Sequence, residues 1–410
     1  TASFNVVRRG QKKEIIFRIK LLIKSFLYGI KIIRTKSIIY FTRFNLKINK
    51  KDSLRFNKIP KYFFVPLLLF IPRIYGLING NIDVATNELI RSAPYLIFPV
   101  IFLLQKKKKL CIEKYFFYGL LSGLILFMIV CESVIVYKMI KFKEPLEYFF
   151  RWRHMNFNFT KPFDAHPAYI GILIVWVLTQ SLFKNYFSKN LKFTLLFVLC
   201  FFLIQLLARN SFIVAIFVIL CFIAVNKLYK LLFGFLVFLS ITMAIVLTHP
   251  DQYNYLRKKL IYSLNFSNEK SKDKRFTRLR ASYIVFQKSP IFGVGPENDN
   301  VLRKIEYKLL EDEVAYKKNY NSHNQFFEYL VTSGIIGLIC FLLVFYYLFS
   351  FLIKNKEYSY IILLLAFMIA CLTESVLERT LGIKYFSILI SLILYKTLSA
   401  TEIRQKTEKD

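Results

Sequence analysis

Four histidines occur in the chain, and one of them, His323, stands in NSHNQFFEYLVTSGIIGL, directly before a long apolar run. Imidazole is the side chain best suited to taking and returning a proton near neutral pH. Asn321 and Asn324 can fix its tautomer, Ser322 can cap a helix beginning near Asn324, and Glu328 follows one turn later. The plain alternative is a histidine at a water–lipid boundary with no role. Close helix packing at Gly334 and Gly337 speaks for a built position instead. A second candidate is SPIFGVGPENDN at 289–300, where Pro290 ends a helix. Gly293 and Gly295 permit a tight turn whose N–H groups can hold an anion, or a turn that is only structural. The third candidates are arginines, the side chains that grip phosphate bidentately. Arg209 stands in LLARNSF, and Arg275, Arg278 and Arg280 stand in KRFTRLRAS. Interfacial anchoring is the competing use of each.

The elements that must position these groups follow from hydropathy. The chain has 410 residues, 56% of them hydrophobic and 18% aromatic. Its apolar runs continue for roughly 18–24 residues, enough to cross a ~30 Å hydrocarbon layer. The expected fold is all-α, a polytopic transmembrane helical bundle of about ten to twelve spans. The alternating ~10-residue strands of a membrane barrel are missing from the pattern. Candidate spans lie at 62–79, 89–104, 115–137, 167–183, 191–208, 211–226, 230–248, 332–353, 358–377 and 382–398. Residues 15–41 are apolar but studded with Lys and Arg, and read as a poor first span or an amphipathic helix on the inner face.

The formal charge is +34. In a membrane protein that excess flanks helices on the cytoplasmic side rather than binding nucleic acid. The short loops carrying Lys106–Lys109, Lys184–Lys192, Lys227–Lys230 and Lys354–Lys356 fall on one side if the spans alternate, and that side is expected to be cytoplasmic. The expected organisation is a basic N-terminal segment at 1–61, transmembrane helices at 62–248, and a periplasmic, partly helical loop domain at 249–331. C-terminal spans at 332–398 and a cytoplasmic tail at 399–410 complete it. His154, His166, His249 and His323 then lie near the outer surface. So do Arg91, Glu132, Arg209, Glu374, Glu378 and Arg379, membrane-embedded charges that suggest one outward-opening polar cavity; the place of Arg73 stays open. The six cysteines have no metal spacing and read as small packing residues. No Asp-x-Asp pair or convincing His/carboxylate cluster points to a metal. The chain opens TASFNV, and no signal peptide is expected.

GVGP followed by SHNQFFEYLVTSGIIGL resembles the signature of the O-antigen ligase and polymerase superfamily. ARNS resembles its Ser-Arg segment at the outer end of a helix, although Ala208 stands where Ser is usual and Ser211 is displaced. HPAYIG at 166–171 is similar to a motif of one branch. RFTRLRASYIVFQKSPIFGVG follows the family pattern of an Arg, an amphipathic helix, then Pro and Gly-x-Gly, with Leu279 in place of an aromatic. The resemblance covers roughly residues 160–380. It implies a membrane glycosyltransferase without metal or other cofactor, in the bacterial inner membrane with its site facing the periplasm. The donor would be an undecaprenyl-diphosphate-linked glycan among membrane lipids. The acceptor would be lipid A-core for a ligase or another glycan for a polymerase. His323 would act on the acceptor hydroxyl, and Arg275 and Arg209 on the diphosphate. Arg278, Arg280, His166, Gly293, Gly295 and Asn324 would contact substrate. A polysaccharide flippase is the remoter reading; it predicts internal repeats and midplane polar groups, and neither is found.

Overall fold

The computed structural model describes residues 64–79, 82–105, 112–228 and 274–407, with a few isolated positions between 233 and 240. The expected segment at 15–41, the Lys106–Lys109 loop, most of the 230–248 span and His249 lie outside the described residues.

The described chain is helical, with no strand. Its principal helices are α1 (Leu67–Asn79), α2 (Ile82–Arg91), α3 (Pro94–Gln105), α4 (Ile112–Lys141), α5 (Pro167–Phe183), α6 (Lys189–Leu206) and α7 (Arg209–Val225). After the undescribed stretch come α8 (Arg275–Gln287), α9 (Asn298–Leu309), α10 (Glu313–Lys318), α11 (Gln325–Lys354), α12 (Tyr358–Thr373) and α13 (Thr380–Thr407). By length and composition α4, α6 and α11 can cross a membrane. A fourth span results if α5 is counted with the short turns of Trp152–Phe163, to which it is bent at 85°. Helices α7 and α12 are apolar but shorter.

Two of the expected spans differ from one long helix. Helix α1 has 13 residues. The expected span at 89–104 is split by a turn at Ser92 and Ala93, and Pro94 opens the next helix. Proline disfavours helical backbone in the residue before it and is preorganised for a first helical turn, so the break falls where the sequence places it. Helix α2 (IDVATNELIR) is polar along one side and carries Glu88 into the core.

Helices α5, α6, α7 and α12 pack side by side, α13 lies on α3, and α11 lies on α1. At one end of the bundle Lys184, Glu113, Glu357 and Lys396 form a linked set of ion pairs at 2.8–3.4 Å. They tie α4, α12, α13 and the turn after α5 together there. The opposite end holds the starts of α5, α7, α11 and α13 and the ends of α6 and α12. Helices α8, α9 and α10 form a cap there, with a small core of Ala281, Tyr307 and Ala315.

The cap enters the bundle at a break in α11. Gly334 has φ 65° and ψ −163° inside that helix. The opening freed by the break receives the GVG turn. Val294 and Gly295 donate N–H to the carbonyls of Val331 and Thr332, and Ile335 and Ile336 donate to Pro290 and Ile291. A Cβ on Gly334 would sit 2.2 Å from the Ile291 carbonyl oxygen, and one on Gly293 would sit 2.4 Å from Ser333 N. Both glycines have left-handed φ, so each is required by conformation and by space.

Gly334→Ala is therefore expected to cost at least about 2 kcal/mol, from the left-handed backbone penalty plus the clash. Thermal unfolding of the detergent-solubilised protein measures it. Gly119→Ala, where an added Cβ meets nothing within 4 Å, is the control and should leave the midpoint unchanged or higher.

Candidate active site

His323 lies in a short extended-to-turn segment between α10 and α11 and adopts φ 52°. A non-glycine residue held there is overdetermined by its neighbours, and four sets of contacts do this. Tyr307 Oη donates to the carbonyls of Tyr320 and Asn321 at 3.1 and 3.4 Å. Glu328 Oε1 accepts from the backbone N–H and the hydroxyl of Ser322, both at 2.6 Å. Asn324 caps α11, its Oδ1 accepting from Phe326 N and Phe327 N, while its Nδ2 donates to the Leu372 carbonyl at 2.9 Å. Gln325 Oε1 accepts from Leu377 N at 2.6 Å. Asn324 and Gln325 thus bolt the histidine segment to the turn that follows α12. The cap belongs to Asn324 itself; Ser322 serves as a donor to Glu328.

That turn presents Glu374. Its Oε2 lies 3.3 Å from His323 Nδ1, and its Oε1 lies 3.7 Å from Arg275 Nη2, at the start of α8. One carboxylate therefore joins the imidazole and the guanidinium. A carboxylate only accepts, so it selects the tautomer with the proton on Nδ1 and leaves the lone pair on Nε2. Nε2 is buried with no partner among the described residues.

His166 belongs to the same end. It caps α5 through Nδ1, which accepts from Ala168 N at 3.3 Å. Burial is the largest influence on its imidazole and lowers its pKa; Glu374, Arg379 and His323 are close enough to act on it electrostatically. The next turn of α5 carries Tyr169, whose hydroxyl donates to the Ser375 carbonyl at 3.4 Å. HPAYIG and ARNS meet directly: Ser211 Oγ donates to the Ala168 carbonyl, and a Cβ on Gly171 would lie 2.1 Å from Ser211 Oγ. Arg209 is exposed in the first turn of α7. Its neighbour Asn210 donates to the Ala370 carbonyl, one turn before Glu374. Ser211, displaced from the usual place before the arginine, is thus a packing contact between two motifs.

The other expected substrate contacts lie as follows. The N–H groups of Gly293 and Gly295 are donated to Ser289 and Thr332 carbonyls, so the turn docks the cap and does not offer exposed donors to an anion. Arg278 is paired with buried Asp312 at 3.3 Å and lies over the Tyr320 ring at 4.7 Å. The Tyr320 ring in turn meets His323 edge-on at 5.4 Å. Arg280 is exposed, and helical spacing puts it on the side of α8 away from Arg275 and Arg278.

Several of the embedded charges are engaged in local sets of ion pairs and hydrogen bonds. Arg73 is buried between Glu88 at 3.0 Å and Glu378 at 3.3 Å, with Arg91 bonded to Glu88 and the Glu378 carbonyl. Glu132 accepts from Gln205, joining α4 to the end of α6. Beneath the histidine segment lies a third group, in which Arg303 reaches Glu328 at 2.7 Å and also holds Asp299. Among the described residues, no group of three His, Cys, Asp or Glu side chains could hold a metal ion.

Residues 193–342 match the model of the O-antigen ligase family. The resemblance read from ARNS, GVGP and SHNQFFEYLVTSG is supported over that stretch, a little over a third of the chain. His166 and Glu374 fall outside it. A comparison with curated proteins finds no match. Sequence reasoning counted Glu374 and Arg379 among the embedded charges and gave neither a role. Their signal was present in CLTESVLERT, where three charges interrupt a pair of apolar runs.

Arg303 is 1% exposed. Arg303→Met should cost about 3–5 kcal/mol, because it strands the buried Glu328 and Asp299 carboxylates. Chemical or thermal unfolding of the purified protein measures the loss, and Arg280→Ala should stay within about 0.5 kcal/mol of the parent.

Proposed function

We propose that the chain is a membrane glycosyltransferase of the O-antigen ligase type. It moves a glycan from an undecaprenyl diphosphate carrier to an acceptor hydroxyl of lipid A-core, at the periplasmic face of the inner membrane. The observation that carries this reading is the His323–Glu374–Arg275 arrangement, inside and beside the stretch that matches the family. The His323 Nε2 lone pair takes the proton of the acceptor hydroxyl. The oxygen then forms its bond to the anomeric carbon, and the bond from that carbon to the diphosphate oxygen breaks. The electron pair leaves with the diphosphate. Arg275 faces the growing negative charge, with Arg209 and the exposed Arg379 at the same end of the bundle to share it. Fixed guanidinium groups serve this role without reorganising as charge develops. Glu374 keeps the imidazole in the accepting tautomer and stabilises the imidazolium that forms, as a carboxylate does in any base–orienter pair. Because Nε2 is covered, the acceptor reaches it only as neighbouring side chains part.

The same machinery serves a repeat-unit polymerase, whose acceptor is another lipid-linked glycan. In a strain lacking the chain, loss of core-linked polymer with long chains still on the carrier indicates the ligase. Single repeats in place of long chains indicate the polymerase. Unchanged glycans in both pools would refute both.

His323→Ala is expected to lower transfer by about 10²–10⁴-fold, the usual worth of a positioned base, at unchanged membrane abundance. Glu374→Gln should lower it less and leave donor binding near normal. A transfer assay with a defined lipid diphosphate donor measures both, and full activity of His323→Ala would remove the base from the mechanism.

A further inference from the structure

A second, separate pocket lies at the end of α4. It has a volume of about 200 Å³ and is lined by residues of α4 and of the turns that follow it. On one wall Glu144 Oε2 meets His154 Nε2 at 2.6 Å, and Glu144 Oε1 lies 3.6 Å from Arg153. His154 is only 2% exposed, and its Nδ1 has no partner among the described residues. Lys138 and Lys161 also line the pocket; among the described residues neither has an ion pair. The single carboxylate is already engaged by His154 and Arg153, so the pocket carries an excess of positive charge. Trp152 stands at its edge, 57% exposed, with Asn158 Nδ2 donating to its carbonyl at 2.9 Å. The neighbouring Phe157 ring meets His166 edge-on at 4.8 Å, so one short turn links this pocket to the transfer site.

We infer that this pocket binds an acidic group, a carboxylate or phosphate, borne by a sugar of the glycan substrate. The inference rests on the glycosyltransferase reading and adds the class of sugar. Two unpaired ammonium groups and an engaged guanidinium supply charge-assisted donors to such an anion. The exposed indole supplies an apolar plane for the C–H face of the same sugar ring. A lipid headgroup phosphate would meet the lysines but bring no ring to cover Trp152, which favours the glycan as occupant.

The chain has two tryptophans, and Trp176 is buried, so intrinsic fluorescence of the full-length protein in nanodiscs reports on Trp152. A glucuronate-containing tetrasaccharide should change the emission saturably, and raised salt should weaken the effect. The change should vanish in Trp152→Phe. Lys138→Gln with Lys161→Gln should weaken binding roughly tenfold or more, as expected for lost hydrogen bonds to a charged group, while the melting temperature stays put. Three outcomes would overturn the inference: equal response to the carboxyl-reduced tetrasaccharide, response to phosphatidylglycerol nanodiscs alone, or no response to the acidic sugar. Inorganic phosphate should compete with the tetrasaccharide, and failure to compete would also count against an anion site. His323→Ala should bind the tetrasaccharide normally. Binding without any transfer by the parent protein therefore refutes the transferase reading alone, and transfer without binding refutes this pocket alone.

Discussion

The buried contact between Arg303 and Glu328 is the constraint on which the rest of the site depends. Two charges taken out of water gain only when every remaining lone pair and proton is also met. Glu328 meets this condition by accepting from the backbone and hydroxyl of Ser322 and from Ser375 at 3.3 Å. Arg303 meets most of it by holding Asp299 and Asn300 as well, with only its Nε–H left without a partner among the described residues. Ser322 precedes the histidine and Ser375 follows its carboxylate partner. One carboxylate on α11 thus fixes both halves of the His323–Glu374 pair, and its arginine fixes the cap above them. The positive φ at His323 is a consequence: the chain is held from both sides more firmly than the local conformation resists.

The same economy governs the junction of cap and bundle. A membrane-crossing helix broken at Gly334 frees carbonyl and N–H groups that lipid cannot satisfy. The GVG turn supplies their partners, so the break and the turn are a single unit. This arrangement sets Arg275, at the far end of α8, beside Glu374. Arg278 and Asp312 then hold Tyr320 against the imidazole. Conserving the charge of these arginines without their planar geometry would not preserve such contacts.

The fold class was legible because apolar runs of spanning length leave few alternatives. His323 and Arg275 were singled out through the resemblance carried by SHNQFFEYL and RFTRLRAS, and the structure brings both of them to Glu374. Glu374 was visible only as a charge in an apolar context. Its pairing with a residue 51 positions earlier is a tertiary fact, and spacing along the chain carries no trace of it. The role of the Gly293–Gly295 turn stayed open in the sequence for a similar reason. Two glycines indicate a conformation, not which acceptors the freed N–H groups will find. The span at 89–104 was misjudged because hydropathy averages over Pro94, whereas the backbone breaks there.

The central assignment is that one lipid diphosphate is held at Arg275 while the sugar's anomeric carbon faces His323. An experimental structure of the protein in nanodiscs with a non-transferable lipid-diphosphate sugar analogue tests it directly. The diphosphate should lie within about 4 Å of the Arg275 guanidinium, with the anomeric carbon on the His323 Nε2 side. Diphosphate density at the opposite end of the bundle, near Lys184 and Lys396, or a sugar turned away from the imidazole, would contradict it.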